Sequence, residues 1–177
     1  MRRVGALLLA PLLAVVLSSC GRSTKEQLAA TYCPEPFTVQ DAQRLTRFKP
    51  GPGRDPRDIL FEATLGRAGT QCAVKRDRLE IDLRLLVAVN AGPSMSTGTA
   101  SVPYFVRLVD SSGTVREGRD FNADFKLSAA NPRGQSMEEL SLSVPFASPS
   151  DLGAYRIAVG LKPTPEELQY NRRAEGR

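Results

Sequence analysis

Three cysteines are the residues best suited to covalent chemistry in this chain: Cys20, at the end of an apolar run, and Cys33 and Cys72 farther in. The chain contains no histidine. That absence excludes Ser-His-Asp and Cys-His nucleophile systems, a histidine general base, and any histidine-ligated zinc or haem. Carboxylates, lysine, tyrosine or serine remain as possible catalysts, and among the carboxylates Glu138-Glu139 and Glu166-Glu167 are adjacent pairs. Neighbours on a strand point to opposite faces, so Glu138 and Glu139 are expected to diverge. Glu166 and Glu167 are better explained by the dipole of a helix N-terminus. A carboxylate hydrolase would need two carboxyl groups within about 10 Å facing one cleft. No phosphate loop, Gly-x-Ser-x-Gly elbow, Ser-x-x-Lys pattern or Asp-rich calcium loop occurs. The expectation is a non-enzyme with no cofactor and no metal.

Cys20 closes the segment MRRVGALLLAPLLAVVLSSC. Two arginines precede an uncharged apolar run from Val4 to Leu17, long enough for a secretory signal and short of the roughly 20 residues that span a bilayer. Residues 1–19 therefore read as a signal peptide. Its end, Leu17-Ser18-Ser19-Cys20, resembles the lipobox of bacterial lipoprotein precursors. That resemblance implies a diacylglyceryl thioether on Cys20, cleavage before it and acylation of the new amine. Each buried methylene contributes about 0.8 kcal/mol, so two or more chains hold a protein on the membrane where one does not. Gly21 follows in place of the aspartate that marks inner-membrane retention in enteric lipoproteins, which favours the outer membrane, periplasmic face.

With Cys20 assigned to lipid, Cys33 and Cys72 form an even pair in an oxidising compartment. One structural disulfide is favoured over a buried free pair or a reactive thiol, because no Cys-x-x-Cys or metal-ligand spacing accompanies them. Without Arg2 and Arg3 the chain carries 22 basic against 19 acidic residues, a net of +3 in place of +5. The two signs interleave, as in Lys75-Arg76-Asp77-Arg78, which argues for solvated faces and against nucleic-acid binding.

These residues must be positioned by a β-rich body. Apolar and polar residues alternate over Ile59–Leu65, Leu79–Val89, Phe121–Leu127, Leu140–Phe146 and Tyr155–Leu161, the signature of half-buried strands. Val102–Val109 is nearly continuous in apolar and aromatic residues, and the turn at Asp110–Gly113 leads into a partner at Thr114–Arg119. Phe37–Phe48 fits either a helix or an edge strand. No long amphipathic helix separates the strands, so parallel βαβ wiring is excluded. The expected fold is an all-β, antiparallel immunoglobulin/fibronectin-III-like sandwich of about seven to eight strands.

Asp151-Leu152-Gly153-Ala154-Tyr155-Arg156-Ile157 resembles the tyrosine corner of immunoglobulin-like domains, with isoleucine at the cysteine position; a generic strand tyrosine is the other reading. Thr164, Pro165 and Glu167 make a capping box for a short C-terminal helix at about 164–173, whose Tyr170 either packs on the sandwich or meets a partner. Ser23 and Glu26 suggest another capping box, but residues 20–32 are expected to be a tether between the lipid and a single domain over 33–177.

Tyr32-Cys33-Pro34, Asp41–Phe48 running into Pro50-Gly51-Pro52-Gly53, Val102–Val106 and Thr164–Arg172 together resemble a family of small uncharacterised lipoproteins of Gram-negative bacteria. The resemblance implies location and domain extent and carries no site. The functional expectation is a lipid-anchored, non-catalytic binding or adaptor module in envelope assembly or maintenance, with an envelope protein as partner. A ligand-binding module for a cell-wall or small-molecule component, using the loops at 90–101 and 128–136, is the alternative; a carboxylate hydrolase ranks third. Phe105, if it faces outward, adds an exposed aromatic patch; a buried core position is the plainer reading.

Overall fold

Strands of period two dominate the computed structural model, which describes residues 23–51 and 53–176. The segment expected to be a signal peptide, residues 1–19, and Cys20 lie outside the described residues. The strands are β1 (Pro36–Thr38), β2 (Arg44–Phe48), β3 (Ile59–Lys75), β4 (Arg78–Ala91), β5 (Thr97–Val109), β6 (Val115–Ser128), β7 (Arg133–Pro145) and β8 (Arg156–Leu161), flanked by helices α1 (Thr24–Tyr32) and α2 (Pro165–Ala174). They form two four-stranded sheets, one ordered β1-β8-β5-β6 and the other β2-β3-β4-β7.

The alternation read in the sequence fills the space between the sheets. Leu79, Ile81, Leu83, Leu85, Val87 and Val89 project inward from β4 and meet Val102, Tyr104 and Val106 of β5 and Ile157, Val159 and Leu161 of β8. Full burial of such side chains is worth about 1.5–3 kcal/mol each, which makes this layer the main source of stability. Hairpin β3–β4 turns tightly at Arg76-Asp77, with Arg76 in the left-handed region at φ 54°.

The order β3-β4-β7 facing β6-β5-β8 is the Greek-key wiring of the immunoglobulin sandwich. Two additions distinguish it. On the outer edge of β8 lies β1, running parallel to it with Phe37 opposite Ala158, while β2 extends the other sheet beyond β3. Between them the chain crosses from one sheet to the other through a single 3-10 turn at Gln40–Ala42. This resolves the ambiguous segment Phe37–Phe48 as two short strands. Conversely, 114–119 and 121–127, expected as separate strands, are one continuous β6 paired with β5 throughout.

Several boundaries also move. β3 continues past Leu65, through a register shift, as far as Lys75; β5 begins at Thr97 and β7 at Arg133. The loops expected at 90–101 and 128–136 shrink accordingly to 92–96 and 129–132. Thr24–Tyr32, expected within a tether that could hold a short helix, is a helix seated on β3 with Ala29 buried. Its capping box is formed as the sequence suggested: Ser23 Oγ accepts from the Glu26 N–H at 3.3 Å and Glu26 Oε2 from the Ser23 N–H at 3.0 Å. No helix among the described residues is long and apolar enough to cross a membrane.

At the other end, α2 begins as predicted, with Thr164 as cap, Pro165 in the first turn and Glu167 closing the capping box. The helix lies along β2. Asn171, buried, donates from Nδ2 to the Arg44 carbonyl at 3.0 Å and accepts at Oδ1 from the Thr46 hydroxyl at 2.8 Å. An edge strand that would otherwise present unpaired polar groups is thereby covered.

Candidate functional site

A concavity is built where α1 meets the far half of β3. Past Leu65, β3 extends beyond its β2 partner, and the inward-facing Ala68, Thr70, Cys72 and Val74 are only partly covered. The helix α1 lies across them. Its C-terminal end is held by the Cys33–Cys72 disulfide, with Cα atoms 5.6 Å apart, and by the Thr70 hydroxyl donating to the Pro34 carbonyl at 3.0 Å. Between helix and strand runs a groove of about 760 Å³, floored by Ala29, Ala30, Ala73, Val74 and the disulfide. It continues into a second hollow of about 480 Å³ at the hairpin tip, bordered by Lys25, Lys75, Arg76, Asp77 and Arg78. Much of the floor is apolar, with Thr70 and Gln71 among its lining, and the rim carries four cations alongside the carboxylates of Glu26 and Asp77. Such a groove can hold an extended apolar segment or an anionic group.

The opposite end of the sandwich carries the two shortened loops, and they are tightly held. Gly92 and Ser94 donate their N–H groups to the Leu60 and Ile59 carbonyls at 2.7 and 2.9 Å, the Ser94 hydroxyl reaches the Arg57 carbonyl at 2.7 Å, and Met95 packs against the core. A Cβ on Gly92 would collide with the Ile59 backbone, so the close approach requires glycine. The small polar residues of 92–96 thus serve a packed turn. Neither concavity described above is lined by either loop.

The carboxylate pairs separate as the strand geometry demands. Glu138 points between the sheets, where Oε2 accepts from the Tyr104 hydroxyl at 3.0 Å and Oε1 from the Ser136 hydroxyl at 2.5 Å. Glu139 points outward to Arg84 at 3.2 Å. Burial first, and then the bond to Glu138, pushes the Tyr104 phenol well above its ordinary range, and the ring stacks on Phe121 with centroids 5.3 Å apart. The arrangement joins the two sheets through a phenol kept protonated. Glu167 is buried within the α2 cap and 3.3 Å from Arg47, whereas exposed Glu166 pairs with Arg54. No group of three or more cysteine, aspartate or glutamate side chains suited to a metal converges among the described residues.

Two aromatic residues left open by the sequence are placed. Tyr170 packs edge-on against Phe48 at 4.9 Å. Phe105 does face outward, but it lies over Gly160 and is covered by the Arg107 guanidinium at 5.1 Å; Arg156 covers Phe37 in the same way at 4.3 Å. Asp120 ties this face together, bonded to Lys162 and to Arg107, and those two bonds hold its carboxyl below the usual range. Tyr155 stands at the turn into β8, as the tyrosine-corner resemblance places it, and is partly buried against the core. The corner itself is held by Asp151, whose Oδ2 accepts from the Ala147 and Ser148 N–H groups at 3.1 and 2.8 Å.

The groove was not foreseeable from spacing, since its two walls come from a segment expected to be a tether and from a strand expected to stop at Leu65. One signal did point there: a disulfide between Cys33 and Cys72 must draw residue 33 onto the stretch around residue 72. No family model, curated protein or solved structure matches this chain.

Proposed function

We propose that this chain is a lipid-anchored envelope protein, held on the periplasmic face of the outer membrane by acyl chains on Cys20, whose sandwich is a non-catalytic binding module for another envelope protein. The observation that carries the reading is the fate of the three cysteines. Cys33 and Cys72 are joined to each other, which leaves Cys20, at the end of an apolar leader and at the last position of Leu17-Ser18-Ser19-Cys20, as the one cysteine available for thioether lipidation. Membership of a family of small Gram-negative lipoproteins is part of the same proposal.

The tightly held end at 92–96 and 129–132 is the surface this reading assigns to the partner, because a domain anchored near α1 presents that end away from the bilayer. In-cell photo-crosslinking tests it, with the photoreactive residue introduced at exposed Ala130 or Arg133 of the membrane-anchored protein. A discrete envelope protein captured from both positions supports the adaptor reading. Capture of peptidoglycan or lipid, or no adduct, overturns it.

A second reading, a module that binds a small ligand or cell-wall fragment, is favoured by one feature: the apolar-floored groove between α1 and β3. It predicts that filling the groove with Ala30→Trp leaves the fold intact and abolishes function in the cell.

A further inference from the structure

The corner where α1 meets the tip of hairpin β3–β4 gathers Lys25, Lys75, Arg76 and Arg78 around one hollow. All four are exposed. The carboxylates of the same corner are already engaged: Glu26 in the α1 cap, Glu80 with Lys75 at 2.9 Å, and Asp77 beside Arg78 at 3.9 Å. Lys25 and Arg76 make no ion pair among the described residues, and Arg22, next to the cap residue Ser23, adds a further cation in the sequence. The unbalanced charge of this corner is positive.

Its distance from Cys20 is bounded by the chain. A residue spans at most about 3.6 Å, so Ser23 lies within about 11 Å of Cys20 and Lys25 within about 18 Å. From Ser23 onward there is no slack, because α1 is capped, packed through Ala29 and Tyr32, and bolted to β3 by the disulfide. We propose that this corner rests on anionic phospholipid headgroups, so that Lys25, Arg76 and their neighbours set the orientation of the sandwich on the membrane. The inference rests on the anchoring of Cys20 proposed above. Basic residues near an anionic leaflet contribute about 1 kcal/mol each and lose it within a Debye length, about 8–10 Å at ordinary salt, and the short linker keeps this corner close enough to come within that range. Seated this way, the sandwich stands with β4 leading away from the bilayer. Fourteen residues at about 3.3 Å each carry the loops at 92–96 and 129–132 roughly 45 Å from the hairpin tip.

The test couples the mature chain, beginning at residue 20, through the free Cys20 thiol to a maleimide-bearing lipid in vesicles, with Cys33 and Cys72 kept as their disulfide. This chemical tether is independent of lipidation in the cell, so the docking and anchoring readings fail separately. The chain has no tryptophan, and single reporters are introduced as Ala73→Trp beside the corner and Ala130→Trp at the far end. Quenching by headgroup spin-labelled lipid is expected to be several-fold stronger for Ala73→Trp than for Ala130→Trp in vesicles containing phosphatidylglycerol. That difference should narrow markedly, to what the tether alone imposes, in phosphatidylcholine alone, at high salt, and in the Lys25→Glu/Arg76→Glu variant, whose circular dichroism should match the parent. Equal quenching at the two positions in anionic vesicles overturns the proposal. So does a difference that is undiminished in phosphatidylcholine or after charge reversal.

Discussion

Cys33 is joined to Cys72, and the bond links the end of α1 to the part of β3 that has outrun its partner strand. Two elements that are each marginal alone are thereby made one. A helix of nine residues does not persist by itself in water, and a strand edge without a neighbour is exposed to fraying. The loop closed by the bond spans 39 residues, for which chain entropy gives about 3–4 kcal/mol. Replacing both cysteines by serine should lower the free energy of urea unfolding by about that amount, and hydrogen exchange should show α1 and Arg67–Lys75 opening before the rest of the sandwich. Uniform protection across the chain in that variant would contradict the coupling.

A phenol is used as a tie between the sheets. Tyr104 is nearly inaccessible, stacked on Phe121, and donates to Glu138. Its folded-state pKa is raised, so its contribution is complete below the unfolded value near 10 and is lost as pH rises through the folded one. In alkaline spectrophotometric titration one of the four tyrosines should ionise only with unfolding. The Tyr104→Phe variant should remove that late step and cost about 1–3 kcal/mol, since Glu138 keeps Ser136 but loses its cross-sheet donor.

At the acidic end the controlling groups lie in turns. Asp110 accepts from Ser112 and from the Thr114 N–H, with Arg116 alongside, and these hold its carboxyl down to about 2; Asp55, bonded to Arg57, is likewise held at about 2. A depressed carboxyl contributes stability above its unfolded value near 3.9, and this is lost as pH falls through the folded one. Stability should therefore decline between about pH 4 and pH 2. The Asp110→Asn variant should flatten that decline and be slightly less stable at neutral pH. An unchanged acid profile would show that the turn at Asp110–Thr114 does not contribute to it.

The α2 edge cover gives a sharper mutational signature. Asn171 satisfies the Arg44 carbonyl and the Thr46 hydroxyl at once. Truncation to alanine leaves both without that partner and should cost about 1–3 kcal/mol. Asn171→Asp, which keeps the acceptor for Thr46 but loses the donor to Arg44, should destabilise by chemical denaturation at least as much, because it also buries a charge. A loss confined to α2 helicity with no change in the global midpoint would mean that the helix is peripheral.

How much of this was written in the sequence differs by element. β4 and β8 were plain, because every second residue faces a fully covered core, and the Thr164-Pro165-x-Glu167 cap announced α2 directly. β6 does not divide where two strands are expected: Gly118, Arg119 and Asp120 are strand and pair with Arg107, Val106 and Phe105 in turn. β1 and β2 were ambiguous because their short apolar spacing, Val39, Ala42 and Leu45, suits a helix as well. Only the crossing between sheets decides against one. The groove depends on α1 docking, and docking is a tertiary event to which local pattern is silent. Tyr155 stands at the turn into β8, but its hydroxyl makes no hydrogen bond among the described residues; the turn is held by Asp151, whose side chain is short enough to cap it.

The anchor remains the claim on which function and orientation both depend, and metabolic labelling tests it most directly. An alkyne fatty acid fed to Gram-negative cells expressing the full chain should appear on the mature protein in membrane fractions. It should be absent from the Cys20→Ala variant, which should stay soluble or unprocessed while keeping the Cys33–Cys72 bond. Equal labelling of the two forms, or an unlabelled wild type released to the periplasm, would contradict the account.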